Sequence, residues 1–475
     1  MDSRTQLKFS AIAFALLAVT ALVTVGCSNS TAPASSTGSS SSITTGPAFV
    51  VGTDAPMASV TSFAVQIESI NAIDSDGNSV PLISGSPNVD FARYNGLQTL
   101  LDMNDVKADT YNSVQITLGA ATISYLNIQA GSAPTIVTEA ATYPGSASTY
   151  TYTAILAKPL VVATTGPVGL RVDFDLRKSI DVDANGDITG SVNPTFDVKA
   201  VGTSDAGGYI DTFVAAVVSV PAAGAQSFVV QGPHGQQFTI NVNGQTEWEN
   251  GESISDLTAS SIVEVSGTLD KADSTLDADD VSILSQNGFY AAGQITYVTP
   301  TSGAASSFDL YVRALLPANT GIKLGDIATV DLNGKENYFI SRMHDQFLSK
   351  FLFNSSQLLP GQDVAVGGPA TGAANEDAVT VKRVVLRHWG FNGTVLANTA
   401  NQPAGTFQMQ VNGFAGLLIP QEVTVYGLTN TDWRNGWSGL SDVTVGANVR
   451  VVGLLLEDPL SGQTVLLAHY VDELD

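Results

Sequence analysis

The densest set of metal-type ligands in this chain is the run Asp181-Val182-Asp183-Ala184-Asn185-Gly186-Asp187. Asp181, Asp183, Asn185 and Asp187 can offer oxygens from one tight loop, as a hard cation such as Ca²⁺ requires, and Gly186 permits the turn. The set is not an EF-hand, because its twelfth position is Val192 rather than Glu and no helical pattern flanks it. An Asn-Gly pair between strand-like stretches also marks a solvated β-hairpin, and that ordinary reading is favoured. Calcium is therefore the one cofactor suggested, and none is required. A second set, Asp173 and Asp175, alternates with Val172, Phe174 and Leu176. Alternation puts both carboxylates on one face of a strand, with Cα atoms about 6.5 to 7 Å apart. Two carboxylates can hydrolyse glycosides, although a solvated polar face is the commoner use. Trp437 offers a flat ring to a sugar. Trp248 and Trp433 occupy equivalent places in a repeat and read as packing residues. His234, His344, His388 and His469 are scattered, without zinc-type spacing. No G-x-S-x-G elbow, P-loop or dinucleotide fingerprint is present, so no catalytic residue is assigned and the chain is expected not to be an enzyme.

The address is written at the N-terminus. Arg4 and Lys8 precede 18 uncharged, mostly apolar residues that end at Cys27, the only cysteine. A basic start, a short apolar run and a small residue before the cut form an export signal. With the cysteine added, the segment resembles a bacterial lipoprotein signal, although Thr24 stands where that family usually has Leu. The resemblance implies that residues 1–26 are removed and that Cys27 carries lipid, two or more acyl chains being needed for a stable anchor. Residues 27–46 are Ser/Thr-rich, without charge or aromatic residue, and read as a disordered tether. The expected location is the bacterial cell envelope, with the folded part outside the cytoplasm. With 44 Asp and Glu against 20 Lys and Arg, for a net charge of −24, there is no basic stripe for phosphates, which excludes nucleic acid as a partner. One cysteine forbids an internal disulfide, so cores and sheet pairing must hold the protein together.

The elements that must position these residues are strands. From Phe49 onward, alternating stretches such as Phe63-Ala64-Val65-Gln66-Ile67 and Ser113-Val114-Gln115-Ile116-Thr117-Leu118 are bounded by Gly- and Asp-rich turns. Residues 47–202 read as one β-sandwich. Thr53-Asp54-Ala55-Pro56, Lys107-Ala108-Asp109-Thr110-Tyr111 and Val172 to Ile180, in that order, resemble the exported bacterial family called domain of unknown function 4382, which carries a fold expectation and no established activity.

Beyond Gly207 the chain repeats. Thr246-Glu247-Trp248-Glu249-Asn250-Gly251 is echoed by Thr431-Asp432-Trp433-Arg434-Asn435-Gly436, each followed by a V-x-V-x-G strand ending at Gly267 or Gly453. A middle copy runs through Gly293-Gln294-Ile295, Ser307-Phe308-Asp309-Leu310 and Val364 to Gly368, with Glu336-Asn337-Tyr338 in place of the Trp motif. The units are 208–286, 287–389 and 390–475, and they resemble domain of unknown function 5666, small β modules of exported bacterial proteins. Met343, Phe347, Leu348, Phe351 and Leu352 recur at helical spacing and predict a helical insertion in the middle unit.

The expectation is an all-β protein: an N-terminal sandwich followed by three small barrel-like modules in series. Its expected role is a lipid-anchored, non-enzymatic binding, adhesion or structural module. It would engage a polysaccharide or an envelope protein and touch the membrane through its anchor. The alternative is a polysaccharide-processing hydrolase using Asp173 and Asp175.

Overall fold

The computed structural model describes residues 44–475 apart from 56, 128–134, 223, 234, 271–274, 287, 318–320, 342–350, 370–377, 398–404 and 475. Residues 1–43, which hold the expected signal, Cys27 and most of the expected tether, thus lie outside the described residues, as do Met343, Phe347 and Leu348. Of that set, Phe351 is buried in the middle unit's core and Leu352 is exposed.

The architecture is all-β. In the sandwich, one sheet runs in the order Phe196–Gly202, Val168–Asp175, Thr45–Ala55, Thr99–Lys107. The facing sheet runs Ser79–Pro81, Val60–Asp74, Asp109–Asn127, Thr135–Ala140, with Tyr150–Val162 also paired to Asp109–Asn127. Phe174, which points inward between Asp173 and Asp175, is the hub of its core. Its ring lies 5.0 Å from Phe63, 5.2 Å from Phe91 and 4.6 Å from Phe196.

Three five-stranded units follow. The first contains Ile210–Val217, Ser227–Gln231, Gln237–Asn241, Ile262–Leu269 and Leu276–Ser285. Its strands pair 1-2-3-5-4 and close back to strand 1, antiparallel throughout except for the parallel pair 3 and 5. The last unit, Trp389–Ala397, Thr406–Val411, Glu422–Trp433, Asn448–Glu457 and Thr464–Glu473, closes in the same order. The middle unit repeats the pairings with its fifth strand split into Ala378–Thr380 and Arg383–Arg387. This connectivity is that of the OB-type Greek-key barrel.

The sequence repeat has a structural cause. Thr246 Oγ1 accepts from Asn243 N (2.9 Å) and donates to the Ala278 carbonyl (2.8 Å). Thr431 Oγ1 accepts from Leu428 N (2.7 Å) and donates to the Ala468 carbonyl (2.7 Å). In the middle copy the Glu336 carboxylate takes the equivalent amide, Asn333 N. Trp248, Tyr338 and Trp433, two residues later, each pack half-buried against their own barrel's core. Gly267 and Gly453 each follow a bulge, where a Cβ would meet the opposite strand's carbonyl oxygen at 2.0 and 2.1 Å.

Residues 43–475 form one compact unit, so the modules are not spaced along a string. The reason lies in strands that are buried on both faces. Ala48 and Val50 enter the sandwich core while Phe49 and Val51 enter the first barrel's core. Leu455 and Leu466 fill the last barrel, whereas Leu454, Leu456, Val465 and Leu467 join the core of the middle one. A sandwich loop fastens the junction. Asn95 Nδ2 donates to the Gly390 carbonyl (2.6 Å) and Gln98 N donates to Asp211 Oδ2 (2.8 Å). Between them Gly96, at φ 87°, lies where a Cβ would fall 2.5 Å from the Arg450 guanidinium.

Candidate functional site

Where the sandwich meets the first and middle barrels there is a cavity of about 300 Å³. Its wall is largely apolar, with Leu100 of the sandwich, Phe213 of the first barrel and Leu315 of the middle barrel. Its polar lining includes Asp90, Arg93, Tyr290, Arg313 and Lys323. Each is placed by a different local feature. Asp90 ends the short strand Asn88–Asp90, and Arg93 closes the 3-10 turn Phe91–Arg93 that follows. Tyr290 and Arg313 lie on adjacent strands of the middle barrel, and Lys323 lies on the loop after the second of them.

The electrostatics are unusual for so acidic a chain. Three cations face one carboxylate, and that carboxylate is engaged: Asp90 accepts from Ser62 Oγ (2.8 Å) and from Phe63 N (2.8 Å). Burial raises the Asp90 pKa although Arg313 and Arg93 oppose it. Among the described residues, Arg93, Arg313 and Lys323 form no ion pair within 4 Å. Arg313 is sandwiched instead, its Cζ 4.7 Å from the Trp389 ring centre and 5.4 Å from that of Tyr311, with Nη2 donating to Gln294 Oε1 at 3.4 Å. Its Nε and the Tyr290 hydroxyl are buried without a partner. A buried polar group left unmet costs about 1 to 3 kcal/mol, so both are poised to receive something.

The other buried arginines among the described residues are paired with carboxylates. Arg387 holds Glu264 with two contacts of 2.6 and 3.1 Å and reaches Asp363 at 3.3 Å, and Arg383 grips Glu252 with two bonds of 2.7 Å. These arginines bind the middle barrel to the first. Burial pushes the Asp363 carboxyl up to about 7 despite Arg387 and Arg313.

The residues singled out from sequence lie elsewhere. Cys27 is outside the described residues. Asp181, Asp183, Asn185 and Asp187 belong to the hairpin between Ile180–Val182 and Ile188–Val192. Asp183 Oδ1 accepts from Asn185 N (2.8 Å) and Asp187 N (2.9 Å), while Oδ2 receives Asn185 Nδ2 (3.3 Å). Asp74 does the same in its own hairpin, taking Asp76 N, Asn78 N and Asn78 Nδ2. The acidic loop is thus built on a turn that this protein uses twice. Among the described residues, no three His, Cys, Asp or Glu side chains converge as a metal site. Asp173 pairs with Arg171 (2.8 Å), and Asp175 caps a helical turn at Lys178 N (3.2 Å) while pairing with Lys178 Nζ (2.7 Å). Neither lines the cavity. Trp437 packs half-buried against the last barrel's core beside Trp433.

None of these cavity residues was among the sequence candidates. One signal was legible: Arg313 is the one cation in the strand Ser307–Leu316, in the apolar stretch that follows Asp309, and a cation in such a run requires a reason.

Residues 47–189 match the family described as Domain of unknown function (DUF4382), and residues 216–282 match that described as Domain of unknown function (DUF5666). Asp90 and Arg93 fall in the first match, whereas Tyr290, Arg313 and Lys323 fall in neither. No curated protein and no solved structure matches the chain. Among the described residues no helix is long and apolar enough to cross a membrane.

Proposed function

We propose that this chain is a non-enzymatic binding protein of the bacterial cell envelope, exported by residues 1–26, held to a membrane by lipid on Cys27, and capturing its ligand in the cavity at the three-way junction. The observation that carries the binding reading is Arg313, a buried cation on the cavity wall with no carboxylate partner. Buried charges are ordinarily paired, and a mostly apolar pocket with a few convergent polar groups is the form a small-molecule site takes. A polysaccharide or an envelope protein would engage it by inserting a terminal group. The non-enzymatic reading is supported by the engagement of Asp173 and Asp175, whose carboxylates serve Arg171 and a helix cap.

The test incubates the full-length protein with envelope polysaccharide fragments and small organic acids. A rise in melting temperature without product in the mass spectrum is expected. Product release would overturn the non-enzymatic reading, and its loss in Asp173→Asn would install the hydrolase instead. Mass spectrometry of the exported chain should find acyl chains on Cys27; an unmodified thiol would remove the anchor.

A further inference from the structure

We infer that the cavity takes an organic anion with an uncharged, largely apolar body, its carboxylate or phosphate head held by Arg313, Arg93, Lys323 and the Tyr290 hydroxyl. The inference deepens the reading of the cavity as a binding site and rests on it.

The argument begins with a contrast inside the molecule. The buried arginines among the described residues are Arg313, Arg383 and Arg387, at 6, 7 and 7% exposure. Arg383 and Arg387 each hold a glutamate in a two-point grip. Arg313 is the exception. A protein with more than twice as many acids as bases has no shortage of carboxylates to place beside it. The surroundings of Arg313 hold Asp90, committed to Ser62 and Phe63 N, and Asp363, held by Arg387, and they add a second arginine and a lysine on the same cavity wall. Three like charges around one space are tolerable when a counter-ion enters that space. A guanidinium with its Nε unmet also retains a donor with which to bind a carboxylate or phosphate.

The body of the ligand follows from the surroundings. An open groove of about 450 Å³ between the first two barrels shares Pro233 and Leu316 with the cavity wall. Among the described residues its lining carries no charge and includes Ile262, Ala216 and Gly288. Charge is therefore confined to one end. A polyanion would find no second cationic subsite along this path, whereas a molecule with one anionic head and an uncharged body matches both halves.

The experiment uses full-length protein in nanodiscs of zwitterionic lipid, with empty nanodiscs subtracted, and isothermal titration calorimetry against four probes. These are 4-phenylbutyrate, 4-phenylbutyl phosphate, neutral 4-phenylbutanol and acetate. Either phenylbutyl anion is expected to bind at least about tenfold more tightly than the alcohol, and acetate to bind far more weakly than phenylbutyrate. The tighter of the two anions identifies the head group. Arg313→Met, which keeps the apolar stem, should abolish the preference for anion over alcohol. Lys323→Ala, on the exposed rim where folding is not at stake, should reduce that preference by a few-fold. Equal binding of alcohol and anions would overturn the anionic assignment while leaving the site standing. Binding of none of the four would overturn the site itself.

Discussion

Asp363 shows how the packing of this molecule is recorded in single side chains. Its carboxyl is fully buried beside Arg387, yet desolvation dominates and lifts its pKa to about 7. In the unfolded chain the same group titrates near 3.8. Between about pH 4 and 7 the folded protein holds a proton that the unfolded chain has released, so this group's contribution to stability falls as pH rises through that window and is level above it. Asp363→Asn removes the titration and can still accept from Arg387. The melting temperature of the variant relative to wild type is expected to climb between about pH 4 and 7 and then hold; a difference independent of pH would refute the assignment. The same scale explains the repeat motif. Thr246, Glu336 and Thr431 each satisfy the amide three residues before them, a structural task that two different side-chain chemistries perform.

At the scale of the element, the acidic hairpin of residues 181–187 shows what a loop does with its own oxygens. Asp183 is held below the usual carboxylate range by the Asp187 and Asn185 amides, as Asp74 is by Asn78 and Asp76. An oxygen that accepts two amides has less capacity for a cation. The expected outcome is one melting temperature in EDTA and in millimolar Ca²⁺; a rise confined to calcium and lost in Asp183→Ala would establish the metal site. The strands of the barrels carry a second lesson. Ala48-Phe49-Val50-Val51 and Leu454-Leu455-Leu456 are continuous apolar runs rather than alternations, and both are buried on two faces. An unbroken run of this kind signals a neighbour on each side.

At the scale of the whole molecule, the consequence is that residues 43–475 form a single body. The last barrel's strands complete the middle barrel's core, the sandwich's first strand completes that of the first barrel, and Arg383 and Arg387 cross between the first and middle barrels. Removing one partner of such a buried pair costs about 3 to 5 kcal/mol, so no lobe can unfold and leave the others unaffected. Calorimetry on the full chain is expected to give one transition with calorimetric and van't Hoff enthalpies in agreement. A separate early transition would show that the lobes are independent. The rigidity bears on function too, because the cavity takes residues from three lobes and keeps its shape only while they stay together.

Period-two alternation, turn residues and an internal repeat are local properties, and the sequence by itself was enough for the all-β class and for one sandwich followed by three similar barrels. The repeat was legible because Thr246 and Thr431 do the same job in the same barrel corner. The cavity was not, since Arg93 and Arg313 are 220 positions apart and their charges share a space only after three lobes have docked. Nor could composition distinguish Arg313 from Arg387, both cations in largely apolar strands. Tertiary packing decided that Glu264 would meet one of them and that open space would face the other.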